Sequence, residues 1–167
     1  MEIKNWKSAK SLFGLLLVVI LLLAFLPTNA QTKYKTYSNA RYAYSISYPS
    51  DLLKPQGEAD NGDGQVFKDG EKAEMRVYGS HNALGQTLKL VYQEATSELG
   101  TGLTYKILKP TFFVVSGKKD GRIYYRKTVK RGSDFLTFTI EYGETEREIY
   151  DKATARIAAS FKNLIME

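Results

Sequence analysis

From residue 42 onward, apolar and polar positions alternate in short runs separated by turn residues. Tyr44, Ile46 and Tyr48 fall on one face of a predicted strand that Pro49 stops. Ser50–Leu53 reads as a single turn closed by Pro55 and Gly57, and residues 60–64 as a flexible acidic loop. Gln65–Lys68 is a short strand, Asp69-Gly70 a hairpin turn, and Ala73–Gly79 a strand with Ala73, Met75 and Val77 inward. The period then changes. Leu88, Val91, Tyr92, Ala95 and Leu99 recur at three and four residues, predicting a helix over 88–99. Thr87 suits its N-cap and Gly100 its far end. Strands follow over 103–109, 112–116, 122–130 and 135–142, joined by Pro110, Lys119-Asp120-Gly121 and Gly132-Ser133-Asp134. A last helix is expected over 144–162, with Ile149, Tyr150, Ala153, Ile157, Phe161 and Leu164 as its buried stripe. Strands joined by turns this tight must run antiparallel. The expected class is α+β: an antiparallel sheet of about six to seven strands flanked by helices.

Residues 1–30 do not fit that pattern. Lys4, Lys7 and Lys10 precede the uncharged run Leu12–Leu26, then come Pro27 and a small residue at Ala30. These are the parts of a secretory signal peptide cleaved after Ala30. A run of this length is short of the ~20 residues of a spanning helix. An uncleaved leader acting as an anchor is the other reading, and it is the only route to membrane contact that the sequence offers. Either way residues 31–167, read as one domain, are expected in an exported compartment, periplasmic or extracellular.

Composition narrows the chemistry. The 167 residues contain no Cys and one His, with 25% charged and 43% hydrophobic residues, as in a globular protein. Disulfides, thiol nucleophiles, zinc ribbons and Fe–S clusters are excluded. The net charge is +6, of which Lys4, Lys7, Lys10 and Glu2 leave +2 in the leader and +4 in the remainder. All 12 tyrosines lie beyond residue 30.

The order of elements resembles a known family. Tyr42-Ala43-Tyr44-Ser45-Ile46-Ser47-Tyr48-Pro49 is similar to the aromatic opening of the PsbP/Mog1-like superfamily, and Arg156–Lys162 to its closing helix, which often finishes in Ser-Phe. The resemblance spans most of residues 37–164. It implies an α/β/α sandwich that acts by binding, as an accessory or scaffold, with no shared catalytic set. The photosystem role of some members rests on features not matched here and is not carried over.

Catalytic, cofactor and metal residues are not assigned. His81 would have to serve as the base of any Ser-His-Asp triad. It sits in Gly79-Ser80-His81-Asn82 without a Gly-x-Ser-x-Gly elbow, and reads as an exposed loop histidine. Residues 60–64 fail the EF-hand frame, because its positions 1 and 12 would be Ala59 and Gly70. Glu141, Glu144, Glu146 and Glu148 cluster, but helix N-terminal acids account for three of them. Gly62-x-Gly64 and Gly100-x-Gly102 lack the rest of a nucleotide-binding fingerprint.

The most informative strand is basic. Arg122, Tyr124, Arg126, Thr128 and Lys130 alternate onto one face, and Tyr34, Tyr37, Tyr78 and Tyr124 are expected as exposed rings. Cations with an aromatic could grip nucleic acid. Export argues against that partner and for an anionic or polar envelope component or an acidic protein surface. The competing assignment is a solvated sheet face, with Arg126 or Lys130 paired to Glu141. Tyr124, Arg126, Lys130 and Arg122 are thus the expected binding face of a non-enzymatic exported domain. The alternative is an exported hydrolase using carboxylates or His81. A deep cleft with converging Asp, Glu or His would favour the enzyme, and a flat Tyr/Arg face the binder.

Overall fold

The computed structural model describes residues 32–163. The expected leader, its cleavage point and Leu164 lie outside the described residues. The strands are β1 (Tyr34–Asn39), β2 (Tyr44–Pro49), β3 (Lys54–Glu58), β4 (Gly64–Asp69) and β5 (Ala73–His81). Helix α1 (Leu88–Leu99) follows, then β6 (Leu103–Leu108), β7 (Phe112–Lys119), β8 (Arg122–Arg131) and β9 (Asp134–Tyr142). A 3-10 turn at Glu144–Glu146 leads into α2 (Arg147–Ser160), and the two-residue β10 (Lys162–Asn163) ends the described chain.

Seven strands form one antiparallel sheet in the order β3-β4-β5-β9-β8-β7-β6. The expectation of six to seven strands holds. A second sheet, β1-β2-β10, pairs the first described strands with the last. Neither β1 nor β3 was expected. Tyr34–Asn39 is a strand ahead of the first predicted one, and Lys54–Glu58 is a strand rather than the closing of a turn. Both are largely exposed edge segments with no apolar alternation to announce them.

The helices take opposite sides of the large sheet, because adjacent residues of a strand point to opposite faces. On one side α1 buries Leu88, Val91, Ala95 and Leu99 against Phe113, Val115, Tyr124 and Phe135. On the other, α2 and the small sheet pack Tyr150, Ala153, Ile157, Tyr44, Ile46 and Tyr48 onto Met75, Val77, Leu136, Phe138 and Ile140. The two sides are called the α1 face and the α2 face below. Together they make an α/β/α sandwich.

Local chemistry fixes both helices. Thr87 accepts from the Leu90 N–H at 3.2 Å, and Gly100 adopts φ 48° at the other end of α1, as the sequence predicts. In α2 the predicted stripe needs correction. Tyr150, Ala153, Ile157 and Phe161 are buried, but Ile149 is 49% exposed and Thr154 is buried instead. Tyr150, Ala153, Thr154 and Ile157 follow the i, i+3, i+4, i+7 spacing of one helical face, and Ile149, about 100° before Tyr150, falls outside it. Lys127, on the α2 face, donates to the Ala158 carbonyl at 2.8 Å and so satisfies a carbonyl in the last turn of α2.

Candidate functional site

Strand β8 delivers its five alternating residues to the α1 face, where they meet different fates. Arg122 is occupied by main chain: Nη1 donates to the Glu71 carbonyl at 3.0 Å and Nη2 to that of Lys72 at 2.9 Å. It ties β8 to the β4–β5 hairpin. Tyr124 is only 6% exposed, beneath α1, which corrects the expectation of an exposed ring. Burial pushes its phenol up to about 12. Alternation places Tyr124 beside the cations correctly, but it does not show that a helix covers that end of the face.

Arg126, Thr128 and Lys130 lie further along the strand. Arg126 is half-buried, its Nε donating to Thr128 Oγ1 at 3.1 Å and its guanidinium 5.5 Å from the Phe113 ring centre. Lys130 is half-buried, its ammonium 5.8 Å from the Phe135 ring centre and donating to the Gly132 carbonyl. Thr128 is buried and shares a 3.0 Å hydroxyl hydrogen bond with Thr137. Such ring contacts orient a cation without neutralising it. The expected pairing of Arg126 or Lys130 with Glu141 is not among the ion pairs of the described residues, since Arg126 stands opposite Thr139 and Lys130 opposite Phe135.

The register adds a residue that the sequence did not single out. Arg76 on β5 stands opposite the same Thr139 that faces Arg126 across β9. Two guanidinium-bearing positions thus flank one threonine, two strand spacings apart, or about 10 Å. Arg76 is exposed and shares Glu74 with Lys68, whose ammonium lies 3.0 Å from that carboxylate. Burial raises the Glu74 carboxyl, but hydrogen bonds from Lys68 and Arg76 outweigh it and hold the group below its usual range. Tyr78, half-buried, lies one row along this face opposite Thr137. Helix α1 packs mainly on β6 and β7, with Tyr124 and Phe135 also in its cluster, while Arg76 is exposed. Only tertiary pairing brings Arg76 beside Arg126, so no local motif could have revealed it.

The residues of the hydrolase reading disperse. His81 ends β5 rather than lying in a loop. Its Nδ1 is 3.2 Å from Asp134 Oδ1, and Asp134 Oδ2 lies 3.4 Å from the Arg131 guanidinium. Among the described residues no serine or threonine hydroxyl is hydrogen-bonded to that imidazole. Glu144 pairs with Lys118 at 2.5 Å, Glu148 with Lys152 at 3.7 Å, and Glu141 sits on β9. The Asp60–Gly64 loop is pinned by Asn39 Nδ2 donating to the Gly62 carbonyl at 3.0 Å. No group of three or more His, Cys, Asp or Glu side chains gathers among the described residues.

One open cleft, of about 380 Å³, lies on the α2 face between β7–β8 and the start of α2. Its one carboxylate, Asp151, already accepts from the Tyr142 hydroxyl at 2.5 Å and from Arg147 Nε at 3.3 Å.

With this geometry in view, the known structures can be compared. No protein-family model matches the sequence, and no curated protein matches it. The chain does match the solution structure of cyanobacterial PsbP (CyanoP) from Synechocystis sp. PCC 6803. The TM-score is 0.57 at 14% identity, over 83% of this chain and 96% of that one. The fold is PsbP-like. A Bacteroides thetaiotaomicron VPI-5482 protein gives a TM-score of 0.48 at 12% identity, over 80% of this chain and 48% of that one. The PsbP-like likeness covers nearly all of the CyanoP chain, and at this identity it is a likeness of fold.

Proposed function

We propose that this chain is an exported binding or accessory domain of the cell envelope or extracellular space, without catalytic activity. It contacts an anionic or polar envelope component, or a protein presenting one, and not nucleic acid. The contact lies on the α1 face outside α1, where Arg126 and Lys130 of the predicted set are joined by Arg76. Arg122 and Tyr124 support that face from within.

The observation that carries this reading is the dispersal of polar chemistry. Glu74, Glu144, Glu148 and the His81–Asp134 pair take local partners, Arg76 among them, while Arg126 and Lys130 lie on rings along the same side of the sheet as Arg76. An enzyme needs such groups to converge on a reacting atom. A charge-complementary surface needs them spread. The signal-like leader supports export, and the PsbP-like fold agrees with an accessory role.

The test is Arg126→Glu combined with Lys130→Glu, read by retention on an immobilised anionic cell-wall polymer and by thermal unfolding. Retention should fall and should already weaken with salt in the parent, since free charges are screened over ~8 Å at physiological ionic strength. Because both side chains lie on rings, Arg76→Glu, at a solvent-exposed position, serves as the second variant. Retention unchanged in both variants would move the contact off this face. The hydrolase reading draws on the His81–Asp134 pair alone. Loss of an esterase or glycosidase activity on His81→Ala would restore it.

A further inference from the structure

The two edges of the seven-stranded sheet are built differently. An edge strand leaves alternate N–H and C=O groups unpaired, which makes it a template for another strand unless something blocks it. Edge β3 is blocked. It has five residues, contains Pro55, breaks register between Pro55 and Glu58, and carries Gly57 at φ 100°. Edge β6 has none of these over its second half. Tyr105, Lys106, Ile107 and Leu108 pair in unbroken register with Ser116, Val115, Val114 and Phe113, and β6 pairs with no other described strand. Tyr105 is 53% and Leu108 37% exposed, so the open edge is also apolar.

Charge selects among occupants. Residues 99–119 contain Lys106, Lys109, Lys118 and Lys119 and no acidic residue. Lys118 is paired with Glu144, and Lys119 lies 5.4 Å from the Tyr124 ring centre. Lys106 and Lys109 are exposed and take part in no ion pair among the described residues. A second copy adding β6 to β6 would gather the Lys106 and Lys109 cations of both copies along one short strand pair, and like charges across a strand pair are destabilising. An acidic strand reverses the sign of that term.

We propose that β6 is a docking edge for an extended acidic segment of a partner protein, added as an eighth strand. Main-chain hydrogen bonds would supply affinity and alternate side chains selectivity. Acidic residues would take the side of Lys106, and β-branched or aromatic ones the side of Tyr105 and Ile107. Lys106 stands on the same face and in the same cross-strand row as Arg126, with Val115 between them, but the unpaired main-chain edge belongs to β6 alone, and the proposal stands whether or not the Arg76–Arg126–Lys130 group binds anything.

The test uses the full chain and a fluorescein-labelled ten-residue peptide alternating Glu with Val or Thr, read by anisotropy and by hydrogen exchange. Saturable binding is expected, with new protection at β6 amides. Affinity should fall at least tenfold for Lys106→Glu with Lys109→Glu. On the unmodified protein, a peptide of equal charge with Pro at alternate positions should also bind at least tenfold more weakly, because it cannot complete the ladder. Equal binding of the Pro peptide would reduce the interaction to charge alone and overturn strand addition. Protection appearing away from β6, or no saturable binding at millimolar peptide, would overturn it as well.

Discussion

Gly79 lies on the α2 face of β5, and a Cβ built there would sit 2.1 Å from Cγ of Tyr42. The ring therefore lies where only a hydrogen is tolerated, and it helps pack the β1–β2 turn against the large sheet. Overpacking of a filled site costs ~1–3 kcal/mol. Gly79→Ala should lower stability by that amount in denaturant unfolding. Combined with Tyr42→Ala, it should lose less than the sum of the two single changes, because the second change removes the clash created by the first. Additive losses would show that Tyr42 does not occupy this position in solution. Only the folded pairing of residues 37 apart reveals such a contact. In the sequence, Gly79 reads as nothing more than the end of a strand.

At the scale of elements, α2 provides the sharpest contrast. Ile157 is fully buried and Ile149, two turns earlier, is half exposed. Ile157→Ala should cost ~2–5 kcal/mol as a core truncation. Ile149→Ala should stay within ~0.5 kcal/mol, as for a surface change. Similar losses for the two would place the helix in the register read from its sequence stripe instead. Helix α1 was legible to the residue because its determinants are local: Thr87, Gly100 and an unbroken three-four spacing. In α2 the buried face is the i, i+3, i+4, i+7 set Tyr150, Ala153, Thr154 and Ile157, and Ile149, about 100° before Tyr150, lies outside it, so the apolar stripe was drawn one residue too wide. The central strands were legible because both of their faces are buried or half-buried and rich in β-branched and aromatic residues. β1, β3 and β10 are short or polar, and partners distant in the chain hold them. Tyr124 was misplaced for a related reason. Alternation defines two faces of a strand, but which part of a face a helix covers is decided by packing.

For the whole molecule, the tyrosines set an upper pH limit. Burial pushes the phenols of Tyr124 and Tyr125 from their ordinary 10.0 up to about 12. Tyr44, Tyr142 and Tyr150 are raised further by burial, reinforced by the Tyr37 hydroxyl beside Tyr44, Asp151 at Tyr142 and Asp69 at Tyr150. Above pH 10 the unfolded chain loses these protons while the folded chain keeps them. Their contribution to stability is therefore complete below pH 10 and disappears as pH rises through 12 and beyond. Phenolate absorbance near 295 nm, followed against circular dichroism, should show these five tyrosines ionising only as the fold is lost. Ionisation of all 12 tyrosines near pH 10 with the dichroism intact would contradict their burial. The arrangement of the candidate face was legible in part at this scale. Arg126 and Lys130 could be placed because they share a strand, whereas Arg76 joins them only once β9 has aligned β5 with β8.

The small sheet also has a consequence for the order of events in time. β2 is its middle strand, and one of its two neighbours is β10, at the end of the described chain. The Ser47 N–H, moreover, is accepted by Ser160 Oγ at 2.9 Å, across 113 residues. At synthesis rates of ~5–20 residues per second, on the order of ten seconds separates the appearance of these two serines on the ribosome. Until then the Tyr44, Ile46 and Tyr48 side has no α2 to bury it, and β2 has only β1 beside it. A nascent chain cannot finish folding from its leading end. If the leader directs export, that delay keeps the polypeptide in the open form that threading through a translocation channel requires, and residues made long after β2 are the ones that close it.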